Sequence, residues 1–210
     1  MACSFINTSH ISYVKVDPQK IYVSQSIEKD PNPKVDYFVE YFQTTRRPFL
    51  VQALERRKEL GPEIREILSE FSLPQSLEAV AIVESGMDEY ATSPSGAKGL
   101  WQLMKPTAEQ YGLETFFLFD QRVDVEVSTI AASKHLLWLY DRFGDWQLAL
   151  AAYNAGSSRV NRAIKKTGSR DFFLLASKGH FPEETASFVP KVLAVSRILE
   201  DPVAYGFSKR

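Results

Sequence analysis

Cysteine is nearly absent from this chain of 210 residues: Cys3 stands alone, which excludes an internal disulfide framework and any thiolate-rich zinc site. An excess of one charge is missing as well. With 25 basic and 26 acidic residues the net charge is −1, so no overall field draws nucleic acid or an anionic membrane. No apolar run approaches the roughly 20 residues needed to cross a bilayer. The histidines His10, His135 and His180 lie far apart without ligand spacing, so neither a metal nor another cofactor is expected. Phosphate-cradling glycine loops, internal repeats and low-complexity tracts are all lacking. Met1-Ala2-Cys3-Ser4-Phe5 has no charged stretch leading into an apolar one, so no secretory leader is read there.

What is present is the composition of a globular protein, 44% hydrophobic and 12% aromatic, long enough for one domain with a substantial core. Residues 1–34 are rich in Ser, Asn, Asp and Pro and form an N-terminal arm, extended over the domain or partly mobile. Residues 35–205 form the domain, and its fold class is mainly α. Val35, Phe38, Val39 and Phe42 share one helix face. A second helix is expected from Pro48 to Glu59 with Gly61 as its stop, and a third from Pro62 carrying Ile64, Ile67 and Leu68. Asp124 opens a long helix that ends at Gly144, and Asp145 caps one that breaks at Asn154-Ala155-Gly156. The next starts at Ser157 or Ser158 and stops at Gly168. The last runs from about Pro182 towards Leu199, with a kink expected at Pro190. Strand signals are almost absent after residue 35.

The most informative segment is Leu77 to Gly86. Leu77, Val80, Ala81 and Glu84 fall on one helix face, and Ile82 and Val83 make the other sides apolar too. A carboxyl at the end of such a buried helix is held towards its neutral form, which suits a general acid near neutral pH. On the helix pattern alone an arginine partner or a capping role is the favoured explanation of Glu84, and that pattern alone does not settle it. Beyond it, residues 92–104 make a glycine-punctuated loop whose backbone and Ser and Gln side chains can approach a ligand; Trp101 within it reads as a core plug rather than a platform. Tyr111, Trp138, Tyr140 and Trp146 read as core and cleft-supporting aromatics. Arg159, Arg162, Lys165 and Lys166, at helical spacing, read as a solvated face.

Glu84-Ser85-Gly86-Met87, Ser93 through Met104, and Ala152-Tyr153-Asn154-Ala155-Gly156 resemble, in order and separation, the Slt-type lytic transglycosylase domain. Glu183-Glu184-Thr185 with Phe188-Val189-Pro190-Lys191-Val192 is similar to that family's fourth block, and residues 35–74 are similar to the membrane-bound D type. Met87 departs from the family's usual phenylalanine, and Lys105 intervenes before Pro106. The resemblance implies a lysozyme-like fold and cleavage of the bond between N-acetylmuramic acid and N-acetylglucosamine, leaving 1,6-anhydro ends. It implies Glu84 as the catalytic acid and base, and Ser93, Ser95, Gln102, Met104, Tyr153, Asn154 and Glu184 as substrate-binding residues. The implied partner is peptidoglycan, met by a monomer in the periplasm or cell envelope.

Cys3 then has two readings, an exposed thiol or the lipidated first residue of a mature outer-membrane lipoprotein. Hydrolases on such folds need two carboxyls, about 5–5.5 Å apart for retaining and about 6.5–9.5 Å for inverting enzymes. Asp88 and Glu89 read as solvated loop acids, which leaves Glu184 as the one candidate across the cleft. A hydrolytic muramidase and a catalytically silent glycan-binding module of an envelope complex are the alternative functions.

Overall fold

The computed structural model describes residues 27–28, 30–116 and 118–207. Cys3, His10 and most of the arm therefore lie outside the described residues. Where the arm meets the domain, Ile27 is buried, and Glu28 pairs with Arg197, which also holds Asp36 at 2.6 Å.

Among the described residues the chain folds into nine α-helices and one short hairpin: α1 Pro33–Gln43, α2 Arg47–Glu70, α3 Glu78–Ser85, α4 Lys105–Gln110, β1 Thr115–Phe116, β2 Phe119–Asp120, α5 Val125–Phe143, α6 Trp146–Ala155, α7 Ser157–Thr167, α8 Phe172–Ser177 and α9 Glu183–Glu200. Side-chain caps set the starts of several: Asn32 accepts from Lys34 N, Asp124 from Val127 N and Asp145 from Leu148 N. The first face lies as the spacing places it, with Val35, Phe38, Val39 and Phe42 buried against α9.

One helix replaces two. The break expected between Glu59 and Pro62 does not occur, and α2 runs through both Gly61 and Pro62 to Glu70. Proline disfavours a helical conformation in the residue before it through that residue's Cβ, and Gly61 has none. The same missing atom makes room for a carboxylate. A Cβ on Gly61 would lie 2.7 Å from Glu78 Oε1 and 2.7 Å from Arg65 Nη1. Glu78, on α3 and only 1% exposed, sits there between Arg57 at 2.9 Å and Arg65 at 3.1 Å. Helix α9 runs as one element from Glu183 to Glu200 with Pro190 inside it, in line with a last helix from about Pro182 towards Leu199. Short α4 and α8 and the β1–β2 hairpin, paired Thr115 to Asp120 and Phe116 to Phe119, carry too few residues for periodicity to announce them.

Helix α3 is buried among the others, packing on both α2 and α9, while α5 packs on α2 and α6. Tyr140 and Trp146 meet in the core with ring centroids 4.3 Å apart. Trp138, by contrast, is exposed beside His135, so the expectation of four supporting aromatics fails at that position.

Candidate active site

Helix α3 delivers Glu84 to the floor of a cleft of about 470 Å³. Its residues 78–82 are wholly buried, and the turn carrying Glu84 is half-buried where it meets the cleft. Gly86 ends the helix in the left-handed conformation, with φ of 63°, and its N–H donates to Ile82 O at 2.8 Å. A side chain there would strike Phe49, 2.8 Å from where its Cβ would lie. Arg56 on α2 donates to Gly86 O at 3.0 Å and lies 3.7 Å from Asp88. Asp88 is thus engaged by an arginine outside the cleft.

Burial pushes the Glu84 carboxyl up from 4.5 to about 8, and the negative charge of Glu184 adds to the effect. At neutral pH Glu84 is therefore mostly protonated and able to donate. Burial holds the Tyr153 phenol well above its ordinary value of 10.0, and the nearby charge of Glu84 adds to the effect. Its hydroxyl donates to Trp101 O at 2.8 Å and so ties α6 to the loop facing Glu84.

That loop is built on close backbone contacts. Ser85 Oγ lies 2.8 Å from Leu100 O and accepts from Asp88 N at 3.2 Å, joining the end of α3 to the loop. A Cβ on Gly99 would lie 1.7 Å from the carbonyl oxygen of Arg122, and Gly99 has φ of 80°. Only glycine fits this position. Arg122, itself buried, donates to Gly96 O at 2.9 Å and Leu103 O at 3.0 Å while gripping Asp120 at 2.8 Å, which holds the Asp120 carboxyl down to about 2. Trp101 is fully buried and donates to Thr129 Oγ1 at 2.9 Å, a core plug as expected.

Glu84, Ser93, Gln102, Asn154 and Glu184 line the same cleft. Gln102, in a left-handed conformation with φ of 47°, commits its Nε2 hydrogens to Ala91 O at 3.1 Å and Gly99 O at 2.8 Å, which leaves Oε1 as its acceptor. Asn154 Oδ1 accepts from Thr185 Oγ1 at 2.7 Å, which leaves its Nδ2 to donate. Ser93 Oγ caps Ala97 N at 3.0 Å and meets Ser95 Oγ at 2.9 Å. Ser95 is outside the lining, in the supporting turn. Tyr153 stands behind the lining, and Met104 is exposed at the start of α4.

Sequence reasoning missed Tyr41, Phe42, Arg46, Phe49, Val83, Phe188 and Lys191 as cleft residues; they come from α1, the turn before α2, α2, α3 and α9. Two signals pointed to Phe188 and Lys191: their place in the fourth block, where no site role was read for them, and their i+4 and i+7 spacing from Glu184 on α9. His135 is a packed histidine: Tyr111 Oη lies 3.1 Å from its Nδ1, and burial lowers it to about 4.

The helical domain thus presents one buried, protonated carboxyl to an open cleft lined by both polar and aromatic side chains. The transglycosylase SLT domain family matches residues 64–175, and the chain belongs to that family. It is 42% identical over 140 residues to membrane-bound lytic murein transglycosylase D of Escherichia coli (strain K12), covering 64% of this chain and 30% of that protein. It is 31% identical over 156 residues to the soluble lytic murein transglycosylase of the same strain, covering 71% of this chain and 23% of that one. The chain thus spans less than a third of either relative. Among solved structures, the 70-kDa soluble lytic transglycosylase of Escherichia coli shares the fold with a TM-score of 0.59 at 23% identity, over 83% of this chain and 32% of that one. An inactive mutant of lytic transglycosylase Slt from Pseudomonas aeruginosa matches with a TM-score of 0.52 at 26% identity, over 73% and 24%.

Proposed function

We propose that this chain is a peptidoglycan lytic transglycosylase, with Glu84 as its acid and base. The observation that carries the proposal is the Glu84 carboxyl, protonated up to about pH 8 by its burial on α3. Glu84 gives its proton to the glycosidic oxygen as the bond from muramyl C1 to that oxygen breaks. The resulting carboxylate takes the proton of the muramyl C6 hydroxyl as O6 bonds to C1. The product carries a 1,6-anhydro ring, no water is consumed, and Glu84 ends protonated as it began. Gln102 Oε1, Asn154 Nδ2 and the Ser93 hydroxyl offer the sugar an acceptor, a donor and a group of either kind. Tyr153, holding Trp101 O, keeps the loop opposite Glu84.

A hydrolytic muramidase is the second reading, favoured by Glu184, whose charge is felt at Glu84 from across the cleft. The test is digestion of purified sacculi with the wild-type chain and with Glu84→Gln. Anhydromuramyl fragments from the wild type alone support transglycosylation, reducing muramyl ends support hydrolysis, and an inert wild type that still binds sacculi supports a silent module. The cell envelope, where this polymer lies, is the location the reading implies, and the proposal takes the chain as a monomer. Lipid attachment at Cys3 adds membrane association to the proposal; the intact mass of the protein isolated from its native envelope tests it.

A further inference from the structure

The cleft holds more positive charge than an uncharged glycan backbone requires. Arg46 and Lys191 both line it, yet among the described residues neither pairs with a carboxylate. Each is held by an aromatic ring instead. The Arg46 guanidinium carbon lies 4.5 Å from the centroid of Phe49, and Lys191 Nζ lies 5.5 Å from that of Phe38. Such contacts orient a cation while leaving its N–H groups free to donate. The first is anchored to the catalytic helix, because Phe49 fills the space against Gly86 at the end of α3. The second shares a face of α9 with Glu184 and Phe188, both in the cleft wall.

Neither cation serves the acid. A positive charge close to Glu84 would favour its ionised form, whereas the carboxyl stays protonated to about pH 8 under burial and the charge of Glu184. Burial and the charge of Glu184 are what set it, so neither Arg46 nor Lys191 acts as its counter-charge. In peptidoglycan the sugars are neutral, and the carboxylates sit on the peptides joined to the muramyl lactyl group.

We propose that Arg46 and Lys191 form an anion-recognition site for the carboxylates of the stem peptide, making the chain selective for peptide-bearing over denuded glycan strands. The inference rests on the peptidoglycan reading above and deepens it. Arg46 offers a planar fork suited to a carboxylate, and Lys191 a movable point charge, so a peptide is gripped without a deep pocket. Each contact is partly exposed, so the selectivity is salt-sensitive.

The experiment compares amidase-denuded strands with peptide-bearing strands of matched length. Binding is measured with Glu84→Gln and turnover with the active chain, each with and without Arg46→Gln/Lys191→Gln. The expected result is tighter binding and higher kcat/KM on peptide-bearing strands by about tenfold at low salt, the scale of one or two exposed ion pairs. That ratio falls below about twofold in the double variant and in high salt, and Arg46→Lys/Lys191→Arg, which keeps both charges but moves the planar fork, restores part of it. Equal binding of both strands by the Glu84→Gln chain overturns the proposal, as does a double variant that weakens both substrates in equal proportion. If the active chain cleaves neither strand while peptide-dependent binding persists and vanishes in the double variant, the transglycosylase reading fails and the anion site stands.

Discussion

Glu84→Gln is the substitution whose effect on stability the structure specifies most fully. Glutamine keeps the shape and removes the titration. Below pH 4.5 the carboxyl is protonated in native and unfolded chains alike, so the two proteins should be similarly stable. Between 4.5 and about 8 the unfolded chain releases the proton while the native one retains it, so wild-type stability falls by about 1.4 kcal/mol per pH unit relative to the variant. Above about pH 8 the difference levels off. Its ceiling is about 5 kcal/mol, and water reaching the half-buried carboxyl from the cleft lowers this to roughly 2–5 kcal/mol. For a domain of this size each kcal/mol moves Tm by about 2–4 °C. Thermal unfolding from pH 4 to pH 9 should then show Glu84→Gln level with the wild type in acid and at least ~5 °C above it at pH 9. A difference that does not change with pH, or a variant that is the less stable at pH 9, refutes the account of Glu84 as a buried neutral acid.

Gly99→Ala should cost about 3 kcal/mol or more in urea unfolding, because its Cβ would lie 1.7 Å from Arg122 O at a φ of 80°. A loss below about 1 kcal/mol contradicts that geometry. Glu78→Gln leaves Arg57 and Arg65 without their counter-charge and should cost about 3 kcal/mol in the same assay; near-neutrality would mean that the cluster is dispensable. Glu184→Gln removes a charge that helps keep Glu84 protonated, so the alkaline limb of kcat/KM should move to lower pH while remaining above the range of an ordinary carboxylate. An unmoved or raised limb argues against their coupling.

Much of the helical frame was legible because caps and periodicity are local. Asp124 with Gly144, and Asp145 with Gly156, bound their helices as read. The break predicted at Gly61-Pro62 failed because the reason for that glycine is distant: it makes room for Glu78, a contact that chain order hides. Helix α3 shows both sides of the problem. Its apolar faces marked Glu84, but Glu78, far more completely buried, carried no signal because only the fold brings Arg57 and Arg65 to it. Within the cleft, the blocks resembling the family supplied Ser93, Gln102, Asn154 and Glu184, whereas Arg46 and Phe49 arrive from α2 and its preceding turn, in a stretch whose aromatic content reads as ordinary core. Arg122 was missed for a similar reason: it organises the loop through backbone carbonyls, which no side-chain pattern records.

The most direct test of the central claim is to digest peptide-bearing glycan strands in water enriched in oxygen-18 and weigh the muramyl ends. Internal attack by the C6 hydroxyl, with Glu84 moving the protons, predicts anhydromuramyl ends lighter than hydrolytic ends by one water and free of label. Reducing muramyl ends carrying oxygen-18 would contradict it, because water rather than the substrate's own hydroxyl would then have closed the reaction.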